Sequence, residues 1–278
     1  MKPEEYYRMW LAEDLGPGDY SSLSCIKPGQ QSKAVLKVKE NGVMAGLEAA
    51  ESIYKTICGD KVSFDVFKND GEEVSAGDIA FEVKGNTREI LRTERIVLNC
   101  MQRMSGIATQ TRKFCDAVEG TKAVILDTRK TTPLFRYFEK WAVRIGGGQN
   151  HRMGLYDMIM LKDNHIDCAG GIANALLTTH RYLKENRLSL KVEVETRNME
   201  EVRQVLDAGG ADRIMLDNFT PEVLSQAVEL INGRAETEAS GKIMLENVRE
   251  YALTGVDFIS TGSITHSYKS LDLSLKIF

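Results

Sequence analysis

Apolar and polar positions follow two different rhythms along the chain, and the change falls shortly after residue 110. Residues 4–13 read as a short helix that stops at the turn Gly16-Pro17-Gly18. Residues 34–38 alternate towards Asn41-Gly42, a dipeptide favoured in tight hairpins. A helix is predicted near 46–57 and a second alternating run over 62–67. After the turn Asp70-Gly71, a further strand is predicted over 79–83. Together these make a small antiparallel sheet with a helix. Residues 87–118 read as one long helix, with Asn86 and Glu89 as a capping pair. A helix of that length carries the chain from one domain to the next.

From residue 123 a different unit repeats: a short apolar run, a few polar residues, then a helical stretch. The runs are 123–126, 158–161, 192–194, 213–216, 235–239 and 258–260. Helical patterns fall near 134–144, 172–186, 199–208, 221–231 and 245–253. Strand alternating with helix implies a parallel sheet. Six such units suit a TIM-like α/β barrel, and an open parallel sheet fits the pattern as well. Residues 271–278 alternate cleanly and are expected to form a last strand that rejoins one of the two domains.

Composition narrows the picture. At 278 residues the chain suits one barrel-sized domain with a smaller companion. Its net charge of −4 argues against a nucleic-acid partner, so any anion site must come from local clustering of basic residues. Cys25, Cys58, Cys100, Cys115 and Cys168 are odd in number and lack zinc spacing, which points to reduced thiols in the cytoplasm. The N-terminus is acidic and aromatic, unlike a signal peptide, and no apolar run is long enough to span a membrane.

The polar residues that follow the apolar runs suggest the chemistry, because barrel active sites form at strand C-terminal ends. Arg129, Lys130, His151, Arg152 and Lys162 form a cationic group. Arg offers a planar fork for carboxylate or phosphate and Lys a point charge, so their convergence implies a ligand with several acidic groups. A solvated basic surface balanced by Glu139 and Asp157 is the bland alternative. Glu195 and Asp217 are acidic strand ends that suit metal ligation, acid–base work or simple ion pairing. Asp127 and Asp163 are placed to orient the cations. Ser240-Gly241 and Thr261-Gly262-Ser263 follow the last two barrel runs, where phosphate sites often lie. Gly146-Gly147-Gly148 lacks the ending of a P-loop and reads as a flexible lead into His151 and Arg152. A terminal phosphate, further anionic groups and two carboxylates near a developing positive centre suit a phosphorylated sugar reacting through an oxocarbenium-like transition state.

Specific stretches carry a family resemblance: LDTRKTTP (126–133), GGGQNHRMGLYDMIMLKDNHI (146–166), KVEVET (191–196), IMLDNF (214–219), EASGKI (238–243) and STGSITHS (260–267). With LAEDLGPGD (11–19) and the 93–109 region, they resemble quinolinate phosphoribosyltransferase almost end to end. The resemblance implies an N-terminal α/β sandwich domain over 1–110, joined by about 268–278, and an incomplete α/β barrel over 111–267. It implies a homodimer, or a larger assembly such as a hexamer of dimers, in which Arg95 reaches the neighbour's site. By the same resemblance Arg129, His151, Arg152 and Lys162 surround the two carboxylates of quinolinate. Lys130 and Lys162 lie near phosphoribosyl pyrophosphate, and Glu195 and Asp217 face the ribose. Ser240, Gly241, Thr261, Gly262 and Ser263 form the 5′-phosphate turns. Lys130, Lys162, Glu195 and Asp217 are the expected catalytic residues, and Mg²⁺ arrives with the pyrophosphate. Two positions depart from the family pattern: Leu134 and Lys242 stand where the family commonly has glycine. Other expectations compatible with the residues are a relative with a different acceptor, of the type linked to molybdenum transport, a Schiff-base aldolase using Lys162, and a non-catalytic sugar-phosphate-binding protein.

Overall fold

The computed structural model describes residues 2–278, which divide into two compact units. The first comprises Met1–Arg112, Thr132–Gly147 and Tyr268–Phe278, and the second Lys113–Thr131 and Gly148–Ser267.

In the first unit four antiparallel strands lie in the order Leu273–Ile277, Gln31–Val38, Ile79–Asn86, Val62–Val66. The alternating C-terminal segment is therefore an edge strand beside Gln31–Val38. Helix Leu47–Cys58 buries Leu47, Ala50, Ile53 and Tyr54, a stripe at helical spacing, and Tyr54 meets Phe64 and Phe81 of the sheet. Asn86 caps the long helix Thr87–Ala117 by accepting from the amides of Arg88 and Glu89 at 3.0 and 3.3 Å. Glu89 does not complete the expected capping pair, because its carboxylate is drawn to Arg92 and Lys61.

The Asn41-Gly42 hairpin does not form. A type I′ turn needs positive φ at both central residues, and neither Asn41 nor Gly42 has it. Gly42–Val43 instead pairs with Glu73–Val74, and Asn41 Oδ1 accepts from the Ala76 amide at 3.1 Å. Gly42 is required for space: a Cβ there would lie 2.6 Å from Leu271 Cδ1 and 2.7 Å from Thr109 Oγ1.

In the second unit six parallel strands follow the order Val124–Leu126, Phe258–Ser260, Glu236–Ser240, Arg213–Asp217, Val192–Thr196, Ile159–Leu161. The two end strands do not pair, so the barrel is incomplete. Gln149 partly fills that edge, donating to Ile125 O at 2.8 Å and accepting from the Asp127 amide at 3.2 Å. Helices Ile172–Glu185, Met199–Ala208 and Pro221–Ile231 bury Leu176, Val202, Val205, Leu224 and Ala227, and so supply the outer layer that a parallel sheet needs. Asn198 caps the second of these by accepting from the Glu201 amide at 3.0 Å.

The boundary differs from the 111–267 expectation in one stretch, since Thr132–Gly147 belongs to the first unit. Phe138 of helix Arg136–Ile145 packs against Tyr6, Tyr7 and Trp10, the last at 4.8 Å between rings. Arg103 Nε donates to buried Glu139 at 2.9 Å. Aromatic burial and this charge pair override the strand–helix rhythm there. Among the described residues, no helix is long and apolar enough to cross a membrane.

Candidate active site

At the C-terminal ends of the parallel strands a pocket of about 740 Å³ opens. Arg129, Lys130, His151, Arg152, Lys162, Glu195, Asp217, Ser240, Gly241, Thr261, Gly262 and Ser263 all border it. Of the predicted site residues only Arg95 is absent. It is exposed on the long helix of the first unit, beside a separate recess that includes Trp10, Asp14 and Phe135.

Each side chain is held by its strand end. Asp127 is fully buried and does not face the ligand space. It accepts from the His151 amide at 2.9 Å and from Asn150 Nδ2 at 2.6 Å, fixing the segment that carries His151 and Arg152. Arg152 Nη1 donates to Met158 O at 3.2 Å. Burial and the neighbouring charge of Arg129 pull the Arg152 guanidinium below its ordinary value. Two like charges brought together in this way are relieved by an anion. Lys162 forms an ion pair with Glu195, which is 8% exposed. Asp217 Oδ2 accepts from Asn218 Nδ2 at 2.6 Å.

The two turns close the opposite wall. Gly241 has φ +93°, and a Cβ there would lie 2.4 Å from Asn218 Oδ1 and 2.8 Å from its backbone nitrogen, so only glycine lets the turn approach the neighbouring strand end. Thr261 Oγ1 donates to Ile243 O at 3.0 Å and accepts from the Ser263 amide at 3.3 Å, locking the second turn.

His151 borders the pocket and is held mainly by the protein. It is 7% exposed, and both ring nitrogens are turned to protein partners. Nδ1 accepts from the Arg152 amide at 2.7 Å, while Nε2 lies 3.0 Å from Glu193 and 3.3 Å from Glu238. Burial alone would lower the imidazole, but hydrogen bonding to Glu193 and Glu238 outweighs it and raises the group to about 9. Glu193 is itself pushed up to about 7, first by burial and then by the charge of Glu238. Arg213 Nη1 donates to Glu238 at 2.8 Å. His151, Glu193 and Glu238 bring ligand atoms within 4.8 Å of one another, a spacing compatible with a metal. The Arg213 cation already balances Glu238, so the group reads as an ion network beneath the pocket.

Sequence reasoning missed this network, although V-E-V-E-T (192–196) and E-T-E-A-S (236–240) carry its signal. In each strand the first acidic pair is two residues apart, so its members share one face. Met160, Met215, Lys242, Ile243, Met244 and His266 also border the pocket without having been predicted to.

These features define the class: an incomplete α/β-barrel protein with a cation-lined pocket at the C-terminal ends of its parallel strands. Comparison with known proteins makes the assignment particular. Residues 19–105 match the family described as quinolinate phosphoribosyl transferase, N-terminal domain, and residues 107–276 match the C-terminal domain of the same family. A mitochondrial quinolinate phosphoribosyltransferase [decarboxylating] of Nicotiana tabacum is 47% identical, over 99% of this chain and 82% of its own. A probable nicotinate-nucleotide pyrophosphorylase [carboxylating] of Bacillus subtilis is 41% identical, over 96% and 91%. The crystal structure of NadC from Streptococcus pyogenes superposes with a TM-score of 0.93 at 38% identity, covering 100% of this chain and 98% of that one. The chain belongs to the quinolinate phosphoribosyl transferase family over both of its domains.

Proposed function

We propose that this protein converts quinolinate and phosphoribosyl pyrophosphate into nicotinate mononucleotide, pyrophosphate and CO₂, a step in NAD biosynthesis. The observation that carries the reading is the meeting of Arg129, Lys130, Arg152 and Lys162 with Glu195, Asp217 and two glycine-bearing turns around one pocket. A dicarboxylate and a doubly phosphorylated sugar together need that many cations. The Schiff-base alternative is disfavoured, because Lys162 is ion-paired with Glu195 and lacks the desolvation that activates a lysine nucleophile.

In this reading Arg129 and Arg152 grip the carboxylates of quinolinate, and His151 supports Arg152 from below through its amide. The pyridine nitrogen attacks C1 of the ribose as the bond to pyrophosphate breaks. Glu195 and Asp217 stabilise the positive charge that develops on the sugar, and Lys130 and Lys162 the departing oxygens. The positively charged ring nitrogen then stabilises the electron pair left on C2 when the 2-carboxylate departs as CO₂, and that pair takes up a proton to form the new C–H bond. The turns at 240–241 and 261–263 hold the 5′-phosphate.

Mg²⁺ fits this donor set. Asp217 is partly exposed and one of its oxygens is bonded to Asn218, which suits contact through water to a cation held mainly by phosphate oxygens. When bound it neutralises the leaving pyrophosphate. The assembly we propose is a homodimer in which Arg95, outside its own chain's pocket lining, serves the partner's site. The cysteine pattern supports a reducing compartment, which we take to be the cytoplasm. Fractionation of the source cells tests that point, and recovery in a membrane-bounded organelle would count against it.

The test is direct. Purified protein with quinolinate, phosphoribosyl pyrophosphate and Mg²⁺ is expected to yield nicotinate mononucleotide and one CO₂ per turnover, both dependent on added Mg²⁺. Absence of product overturns the acceptor assignment. In the same assay Arg95→Ala is expected to raise KM for quinolinate, and an unchanged KM removes Arg95 from the site.

A further inference from the structure

Among the described residues, five other than glycine have positive φ: Leu134, Arg187, Asn218, Asn232 and Lys242. Arg187 and Asn232 follow the ends of helices Ile172–Glu185 and Pro221–Ile231, where such backbone is ordinary. Asn218 and Lys242 border the pocket. Asparagine tolerates the left-handed region, and Asn218 is anchored to Asp217. Lys242, at φ +54°, has neither excuse. Its side chain is long, and it directly follows Gly241 at φ +93°. A glycine would occupy this position without a steric penalty, so what the lysine contributes must lie in its side chain.

The neighbours of Lys242 suggest what that is. Its carbonyl accepts from Asn247 Nδ2 at 3.4 Å, and the next carbonyl, of Ile243, accepts from Thr261 Oγ1 at 3.0 Å. Lys242 is thereby fixed between the Ser240-Gly241 turn and the Thr261-Gly262-Ser263 turn. The residue is exposed, and among the described residues no carboxylate lies within 4.0 Å of its ammonium. Lys162, by contrast, is already matched to Glu195 across the same pocket. An exposed, unmatched cation between two turns that form one wall of the pocket has a dianion as its natural counterpart.

We propose that Lys242 is a substrate-binding residue whose ammonium joins the two turns in gripping the 5′-phosphate of the phosphoribosyl substrate. This rests on the reading of the pocket as a phosphoribosyl site, and the test separates the two. Ribose 5-phosphate binding to the intact protein is measured by calorimetry without quinolinate, and KM for phosphoribosyl pyrophosphate is measured by turnover. Lys242→Ala and Lys242→Gly are both expected to weaken ribose 5-phosphate by about tenfold, the low end for a charged hydrogen bond at an exposed site. The loss in turnover is expected mainly in KM for phosphoribosyl pyrophosphate, and Lys242→Arg is expected to restore most of it. Lys191→Ala, which removes an exposed lysine paired with Glu236 outside the pocket, is expected to bind as the parent does. The proposal is overturned if Lys242→Ala and Lys242→Gly bind ribose 5-phosphate normally. It is equally overturned if Lys242→Arg loses as much as Lys242→Ala, because the effect would then lie in backbone shape. Failure of the parent protein to release CO₂ from quinolinate would strike the acceptor assignment, while the ribose 5-phosphate result would still decide the role of Lys242.

Discussion

The pocket wall and the layer beneath it use the same kinds of side chain in opposite ways. On the wall, Arg129, Lys130 and Lys242 are exposed, and Arg152 has a second guanidinium for a neighbour. Below, Arg213, Glu193 and Glu238 are all buried and, with the ring of pocket-bordering His151, balance one another. Buried charge is tolerated only when it is matched within the protein, whereas charge at a solvent-filled mouth can wait for a ligand. Residue type alone therefore does not separate binding groups from supporting ones. What separates them is where each charge finds its partner.

The strongest way to break this contrast is to unbalance the lower layer. Glu238→Gln keeps the volume and removes the charge that Arg213 and His151 face. Removing one partner of a buried pair costs about 3–5 kcal/mol. For a chain of this size that is a fall in Tm of roughly 6–20 °C. A Tm within about 1 °C of the parent would mean that the network carries no such burden.

Arg152→Ala probes the wall. The residue faces the charge of Arg129, so losing it removes repulsion as well as one hydrogen bond to Met158 O. Stability is expected to stay within about 0.5 kcal/mol. Activity should suffer instead: kcat/KM for quinolinate is expected to fall about 100-fold, or about 2.7 kcal/mol. A variant that unfolds early yet turns over quinolinate normally would reverse the assignment of wall and floor.

The contrast also marks how far the sequence could be read. The parallel repeats were legible because each barrel strand is a compact apolar run followed by polar residues, as at Leu126–Asp127 and Leu216–Asp217. The strand-end rule then gathered the pocket residues, and the long motifs identified the family. Tertiary packing was not legible. Phe138 and Glu139 draw Thr132–Gly147 into the first unit through partners more than thirty residues away. Asn41-Gly42 carries a local hairpin signal that the close approach of Leu271 and Thr109 overrides. Glu193 and Glu238 look like surface residues until the curved, incomplete barrel turns their faces inward. The left-handed backbone at Leu134 and Lys242 was visible only as two departures from a glycine pattern.

The smallest expected effect concerns where the lower layer keeps its proton. An imidazole raised to about 9 would carry two protons at neutral pH. Yet Nδ1 accepts from the Arg152 amide, which requires a bare Nδ1 and leaves one ring proton on Nε2. The additional proton then resides on Glu193, whose carboxyl is pushed up to about 7 by burial and by Glu238. The groups facing this proton are Glu238, Arg213 and His151, each from a different segment. A folded pKa raised above the unfolded value contributes stability that is complete at low pH and is lost as pH rises through the folded value. For Glu193 the loss runs from about pH 4.5 to 7. Glu238 is held below its ordinary value, where the hydrogen bond to His151 and the Arg213 charge outweigh burial, so it has the opposite sign and loses its contribution only in acid. Stability is therefore expected to decline between pH 6 and 9 by an amount on the order of 1–2 kcal/mol, read as a fall in Tm. Glu193→Gln, which mimics the protonated carboxyl, is expected to flatten that decline. If parent and variant instead run parallel across the range, the proton does not sit on Glu193, and the lower layer is balanced by the charged imidazolium alone.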